Sequence, residues 1–125
     1  MTETWTVGPD PAPVAPGDVP ELLRARAGRG ELETWLTSSA GRSLAVLSNN
    51  RRAMVMLLER PGDPGEHAVD PDAGDEWSDG FVLANGQDDE YPDQDTVPLP
   101  EALRIVAHIL ATGAPPPDAA WRIDR

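Results

Sequence analysis

Cysteine is absent from this chain of 125 residues, and so is lysine, because all ten of its basic residues are arginine. Without cysteine the chain can form neither a disulfide framework nor a thiol nucleophile. A zinc site would have to combine carboxylates with the two histidines. His67 and His108 are not spaced as a metal-binding pair, so we predict no metal ion and no cofactor.

Long apolar segments are also missing. No run of 18 or more apolar residues occurs, and the first eight residues, MTETWTVG, contain neither a basic region nor an apolar one. We therefore expect no membrane-spanning segment and no export signal, and we take the cytoplasm as the expected location. The length is that of one domain, which we assign to residues 1–125.

Familiar catalytic patterns are lacking as well. The sequence has no glycine-rich phosphate loop, no nucleophile elbow and no HExxH motif. The stretch 70–75 resembles the beginning of a calcium loop, but Gly74 precedes Asp75 where an EF-hand needs a ligand and then glycine. The carboxylates of Asp88 and Glu90 could serve acid–base catalysis, because alternate residues of a strand are neighbours. Both would, however, lie next to an exposed turn. We therefore predict that the protein is not an enzyme.

What the sequence does contain is charge of one sign. Between Pro61 and Glu101 there are thirteen acidic residues and no lysine or arginine, whereas the rest of the chain has nine acidic residues and ten arginines. Such a surface speeds the encounter with basic partners, and it disfavours nucleic acid as a ligand, because phosphate binding relies on clustered Lys and Arg. The alternative interpretation is a poorly ordered acidic loop.

Residue patterns predict an α+β domain with one mainly antiparallel sheet, a short N-terminal helix and a longer C-terminal helix packed on it. The first helix is predicted at 20–27, with Asp18 as its N-terminal cap. The second is predicted at 100–112 and ends before Gly113. Strands are predicted at 2–7, 31–37, 43–48, 53–59, 81–84, 87–91 and 119–123. Most of 61–80 is predicted to be loop, and only 67–70 could extend a strand at the edge of the sheet.

Three details of packing follow from the same patterns. The strand at 53–59 is nearly continuous in apolar residues, which is typical of a central strand covered on both faces. Asn85-Gly86 favours a two-residue hairpin turn. The apolar stripe of the second helix is predicted to contain Leu99, Leu103, Val106, Ala107 and Leu110.

Two of the four tryptophans, Trp35 and Trp121, lie in alternating, strand-like sequence and are predicted to belong to the core. Trp77 is different, because it lies between acidic residues in the sequence EWSDGF. Two interpretations stay open for Trp77: an interface anchor surrounded by charge, or a side chain that folds back and pins its own loop.

The last third of the chain resembles a known family. The stretch FVLANGQDDEYPDQDTVPLPEALRIVAHILATGAPPPDAAWRID is similar to the C-terminal signature of the first-numbered immunity protein family of bacterial polymorphic toxin systems. The matching elements are Phe81, the Asn85-Gly86 turn, the acidic residues before Tyr91-Pro92, Val97-Pro98, the amphipathic helix and Trp121. Arg122 departs from the pattern, because that family often has an acidic residue there.

The resemblance implies a cytoplasmic α+β protein without enzymatic activity, which binds a cognate basic toxin domain as a monomer or in a one-to-one complex. Toxins of this family are often nucleic-acid deaminases, and any zinc would belong to the toxin. Carboxylates from residues 72–95 would then occlude the toxin's cationic cleft, with Trp77 or Tyr91 as apolar anchors. The predicted contact residues are Asp72, Asp75, Glu76, Trp77, Asp79, Asp88, Asp89, Glu90, Tyr91, Asp93 and Asp95.

Two alternatives remain at this stage. The first is an acidic mimic of nucleic acid that inhibits a DNA-binding protein without a linked toxin. The second is a small hydrolase, which would need a pocket with convergent polar groups.

Overall fold

A computed structural model describes residues 3–125, so Thr2 of the predicted first strand lies outside the described residues. Within this range the chain forms two helices, α1 (Val19–Gly28) and α2 (Leu99–Thr112). The strands are β1 (Trp5–Val7), β2 (Glu33–Ser38), β3 (Ser43–Ser48), β4 (Arg52–Leu58), β5 (Glu66–Ala68), β6 (Trp77–Val82), β7 (Asp88–Pro92), β8 (Val97–Pro98) and β9 (Trp121–Ile123).

Seven of these strands form one antiparallel sheet in the order β1-β2-β3-β4-β5-β9, and β8 also pairs with β4. Strands β6 and β7 form a separate antiparallel hairpin. The predicted fold class is therefore confirmed, with a short early helix and a longer late one. The prediction of loop for residues 77–80 is wrong, because these residues belong to β6.

The main core lies between the helices and one face of the sheet, which we call the helix face. The sheet contributes alternate residues of its strands, such as Leu36, Leu44, Val55 and Leu57. The helix α2 contributes five fully covered side chains: Ala102, Ile105, Val106, Ile109 and Leu110. Leu99, Leu103 and Ala107 of the predicted stripe are only half-buried. The buried stripe of α2 therefore lies at a different angle around the helix axis than predicted. Leu99 and Leu103 flank the contact with α1 instead of facing the sheet.

β4 lies inside the sheet, as predicted, but only one of its faces is fully covered. Ala53, Val55 and Leu57 are buried, whereas the residues between them are half-buried. The continuously buried strand is β3, in which Leu44 to Leu47 are all covered. The prediction that β4 is covered on both faces is therefore wrong. The layer on the second face begins with β6, which lies against β3.

The four tryptophans occupy four different environments. Trp5 is fully buried, and the Arg42 guanidinium lies 5.5 Å from the centre of its ring. Trp121 is half-buried against the core, and its Nε1 donates a hydrogen bond to Glu66 Oε1 at 2.7 Å. Trp35 is 42% exposed and Trp77 is 62% exposed. The core assignment of Trp35 is therefore wrong, because Trp35 shares its face of β2 with Glu33 and Thr37 rather than with Leu36.

Candidate functional site: an acidic hairpin

The acidic hairpin consists of residues 77–92, that is β6, its turn and β7. The predicted hairpin is present, but its turn is a three-residue loop and not a two-residue one. Gly86 N donates to Leu83 O at 2.9 Å, and Leu83 N donates to Gln87 O at 2.8 Å. Gly86 has a φ of 89°, whereas Asn85 is not among the residues with positive φ. A single left-handed glycine therefore closes a type I turn with a bulge.

The outer face of the acidic hairpin combines an aromatic ring with carboxylates. Trp77 pairs with Pro92, and Val82 pairs with Asp88. Because paired residues lie on the same face and β7 alternates, Glu90 lies on the face of Trp77 and Asp88. All three of these side chains are exposed. The interpretation that Trp77 folds back to pin its loop is therefore wrong.

The inner face attaches the acidic hairpin to the second face of the sheet. Phe81 is fully buried, and its ring meets that of Tyr91 edge to face at 5.1 Å. Ala84 N donates to Glu33 Oε1 at 2.8 Å, which links the turn to β2. Asn49 Nδ2 donates to Asp79 O at 2.9 Å, which links β6 to the turn between β3 and β4. Contacts inside β6 and in the turn that follows it therefore fix the acidic hairpin to the sheet.

Arg52 ties together the two chain segments that lead into and out of the acidic hairpin. Its Nη2 donates to Asp70 Oδ2 at 2.7 Å and to the carbonyl oxygens of Asp93 and Thr96 at 3.0 Å. Its Nε donates to Oγ1 of Thr96, a fully buried residue, at 2.8 Å. This role of Arg52 was not predicted from the sequence, although Arg52 follows a turn signal and opens an apolar strand, where an arginine needs partners.

The thirteen carboxylates of residues 61–101 divide into two groups. Six of them form ion pairs with basic residues from outside that stretch or with His67, and these are Asp63, Glu66, Asp70, Asp93, Asp95 and Glu101. The other seven have no basic partner within residues 3–125, and these are Asp72, Asp75, Glu76, Asp79, Asp88, Asp89 and Glu90. All seven are exposed except Asp89, which is half-buried. We call them the free carboxylates.

Eight of the eleven predicted contact residues are Trp77 and the seven free carboxylates. The remaining three, Tyr91, Asp93 and Asp95, make internal contacts. Asp93 lies 3.9 Å from Arg52 Nε, and Asp95 lies 3.1 Å from His67 and 3.4 Å from Arg122. As contact residues all eleven stay predictions, but the carboxylates of Asp93 and Asp95 are already engaged in holding the base of the acidic hairpin.

Tyr91 is the only tyrosine in the chain, so its titration measures the environment of the inner face of the acidic hairpin. Its Oη donates to Asp89 Oδ2 at 2.9 Å. Burial raises the pKa of Tyr91 to about 12, and the hydrogen bond to Asp89 and the negative charges of Asp89 and Glu33 act in the same direction. The folded state therefore favours the neutral phenol. This contribution to stability is complete below the ordinary pKa of 10.0 and is lost as the pH rises through about 12.

We expect an ultraviolet titration of the phenolate to have its midpoint near pH 12, and Asp89→Asn to move the midpoint of Tyr91 toward 10.0. Circular dichroism over the same pH range distinguishes titration of the folded protein from unfolding. A midpoint near 10.0 in a protein that is still folded would contradict the inward orientation of Tyr91.

A cavity of about 130 Å³ lies on the helix face, between α1, the beginning of α2 and the sheet. Apolar side chains such as Leu23, Val46 and Leu103 line most of it. Sites for drug-sized ligands usually enclose about 300–1,000 Å³. This cavity is smaller, and the sheet separates it from the acidic hairpin.

Within the described part of the chain, no group of three or more His, Asp or Glu side chains is placed to hold a metal ion. Over the same residues, no helix has both the length and the apolar character needed to span a bilayer. Comparison of the chain with known protein families found no match, and comparison with curated proteins found no significant one either.

Proposed function

We propose that this protein is a cytoplasmic, non-enzymatic immunity protein, which binds a cationic toxin domain and occludes the cleft in which that toxin holds nucleic acid. The observation that carries the proposal is the set of six exposed free carboxylates within residues 72–90, that is all of them except Asp89, beside an exposed Trp77. The resemblance of residues 81–124 to the first-numbered immunity family is what directs the proposal toward a toxin.

The distribution of charge supports a binding surface over a merely solvated one. The chain does supply arginines to acidic residues where the fold needs them, at Asp63, Asp70 and Glu101. The carboxylates left without such partners are concentrated in one segment, and several lie on the hairpin. Like charges held close together repel one another, so an unpaired cluster lowers stability unless a partner uses it.

The chemistry of the partner follows from the surface. A toxin that acts on DNA or RNA needs a basic groove for phosphates, and deaminases also need a pocket for the target base. Carboxylates of the acidic hairpin would take the place of the phosphates in that groove. We expect a one-to-one complex that buries the standard ~800 Å² per partner.

The decisive experiment is co-expression with the C-terminal domain encoded by the adjacent upstream gene. Rescue of growth together with a one-to-one complex on size exclusion would support the proposal. Rescue without a complex, or a complex without rescue, would refute the mechanism of occlusion. A neighbouring gene whose product binds DNA and is inhibited without being toxic would favour the nucleic-acid mimic instead.

We predict that the association rate with this domain falls by at least ~10-fold between low and high salt, because long-range steering is screened. Stopped-flow measurement of tryptophan fluorescence would give the rate. An unrelated basic protein of similar charge serves as the control, and it should form no lasting complex. An association rate that is independent of ionic strength would contradict the steering role of the free carboxylates.

A further inference from the structure

Among residues 3–125, the acidic hairpin leaves part of the second face of the sheet partly exposed, although Ala45 in its middle is buried. On the face opposite the helices, the register places Trp35 next to Ala45 and Ala45 next to Met56. In the following row Thr37 lies next to Ser43 and Ser43 next to Leu58. Trp35 and Thr37 are exposed, and Met56 and Leu58 are half-buried. We call this area, made of Trp35, Thr37, Ala45, Met56 and Leu58, the Trp35 face.

The indole ring of Trp35 is held in place although it is exposed. Its Nε1 donates to Glu33 Oε2 at 2.6 Å, and the other oxygen of Glu33 accepts from Ala84 N of the hairpin turn at 2.8 Å. One carboxylate thus connects the exposed tryptophan to the acidic hairpin. A side chain that is fixed before binding loses little freedom on binding, which is the property of an interface anchor.

Along its border with the acidic hairpin the Trp35 face carries negative charge, whereas its opposite border ends at His67 and Arg122, which are both paired with Asp95. The acidic hairpin borders the face through Glu33, which forms no ion pair among residues 3–125. The free carboxylates Asp88 and Glu90 project from the outer side of that hairpin. An apolar centre with an acidic margin fits a partner that presents an apolar side chain surrounded by Lys and Arg. A second copy of this chain would instead bring carboxylates against carboxylates.

We infer that the Trp35 face is the apolar centre of the partner interface, and that the acidic hairpin is its charged margin. This inference rests on the proposed function and adds to it the site of closest packing. The occupant is the same cationic protein domain, which inserts an apolar side chain against Trp35 and Met56. The two parts of the interface act at different steps, because charge governs encounter and packing governs dissociation.

The experiment compares variants in binding to the C-terminal domain encoded by the adjacent upstream gene. Trp35→Ala should raise Kd by at least ~10-fold, mainly through faster dissociation, and should leave the salt dependence of association unchanged. Ile123→Ala is the matched control, because Ile123 is 62% exposed but shares its face with Leu57 on the helix side. Its Kd should change by less than ~2-fold.

Two further measurements keep the inference testable if Trp35→Ala disturbs the hairpin. Met56→Lys should weaken binding far more than Met56→Leu, because it places a cation against a cationic partner. Hydrogen exchange on the unmodified complex should show added protection in β2 and β4.

The outcomes separate this inference from the proposed function. A complex whose Kd is unchanged by Trp35→Ala and Met56→Lys overturns the inference and leaves the proposed function standing. The absence of any complex with the unmodified protein overturns both. Sedimentation that shows dimers abolished by Trp35→Ala would assign the face to a second copy and would also overturn the inference.

Discussion

Replacement of Arg52 by methionine is expected to lower the melting temperature by roughly 10 °C, which corresponds to about 3 kcal/mol at this chain length. The side chain of Arg52 is only 19% exposed, and its guanidinium holds Asp70, Asp93 and the buried Thr96. Methionine has a similar length but donates no hydrogen bond. The variant would therefore leave the carboxylates of Asp70 and Asp93 without a cationic partner, and it would remove the hydrogen bonds that Arg52 donates to Thr96 and to the Asp93 carbonyl.

Arg51→Met is the matched control, because the neighbouring Arg51 forms no ion pair among residues 3–125. Exposed substitutions of this kind usually change stability by about 0.5 kcal/mol or less. Differential scanning calorimetry on both variants gives the comparison. Equal melting temperatures for the two would show that Arg52 does not hold the base of the acidic hairpin.

Reversing two charges on the outer face, with Asp88→Arg and Glu90→Arg together, is expected to raise the Kd for the proposed toxin domain by about 100-fold. An exposed ion pair contributes up to ~1 kcal/mol, and reversal replaces that attraction by repulsion of similar size. With about 0.7 kcal/mol of attraction lost and a similar repulsion gained at each of the two positions, the total is about 3 kcal/mol, or two powers of ten in Kd. Asp89 is left unchanged, because its carboxylate points inward and holds Tyr91.

The matched control for this variant changes the same amount of charge on the helix side, at Asp18 and Glu21, both of which are exposed. Asp18→Arg with Glu21→Arg should reduce the association rate slightly and leave the dissociation rate unchanged. Surface plasmon resonance on both double variants separates the two rates. Equal losses of affinity would mean that net charge alone, and not the acidic hairpin, determines binding.

Much of the fold could be predicted from local patterns. The strand at 43–48 matches β3 residue for residue, and both helices were placed within one residue at each end. These elements have strong periodicity and clear end signals, such as Gly113 with its φ of 82°. β5 and the first residues of β6 were harder to predict, because three-residue strands and glycine bulges carry little pattern, and their pairing partners are distant in sequence.

The candidate site was only partly predictable. The acidic segment is visible in the sequence as a count of charges, but whether a carboxylate is free depends on where distant arginines fold. Arg52, Arg122 and Arg125 neutralise Asp70, Asp95 and Asp63 across the sheet, and nothing in the local sequence indicates these pairs. The exposure of Trp35 was in principle visible, because Glu33 and Thr37 share its face of β2 and mark that face as polar.

The acidic hairpin belongs to a chain segment that leaves the sheet and returns to it at neighbouring points. β8 and β5 share one edge of β4, so the chain leaves the sheet after Ala68 and returns at Val97 at neighbouring points. The hydrogen bond from Asp70 N to Gln94 O, 2.9 Å long, closes the base of this excursion. Doubling the length of a closed loop costs only about 0.6 kcal/mol. Changes of sequence and length between these two points should therefore cost the sheet and the helices little stability, so that the proposed contact surface can differ while the rest of the fold stays the same.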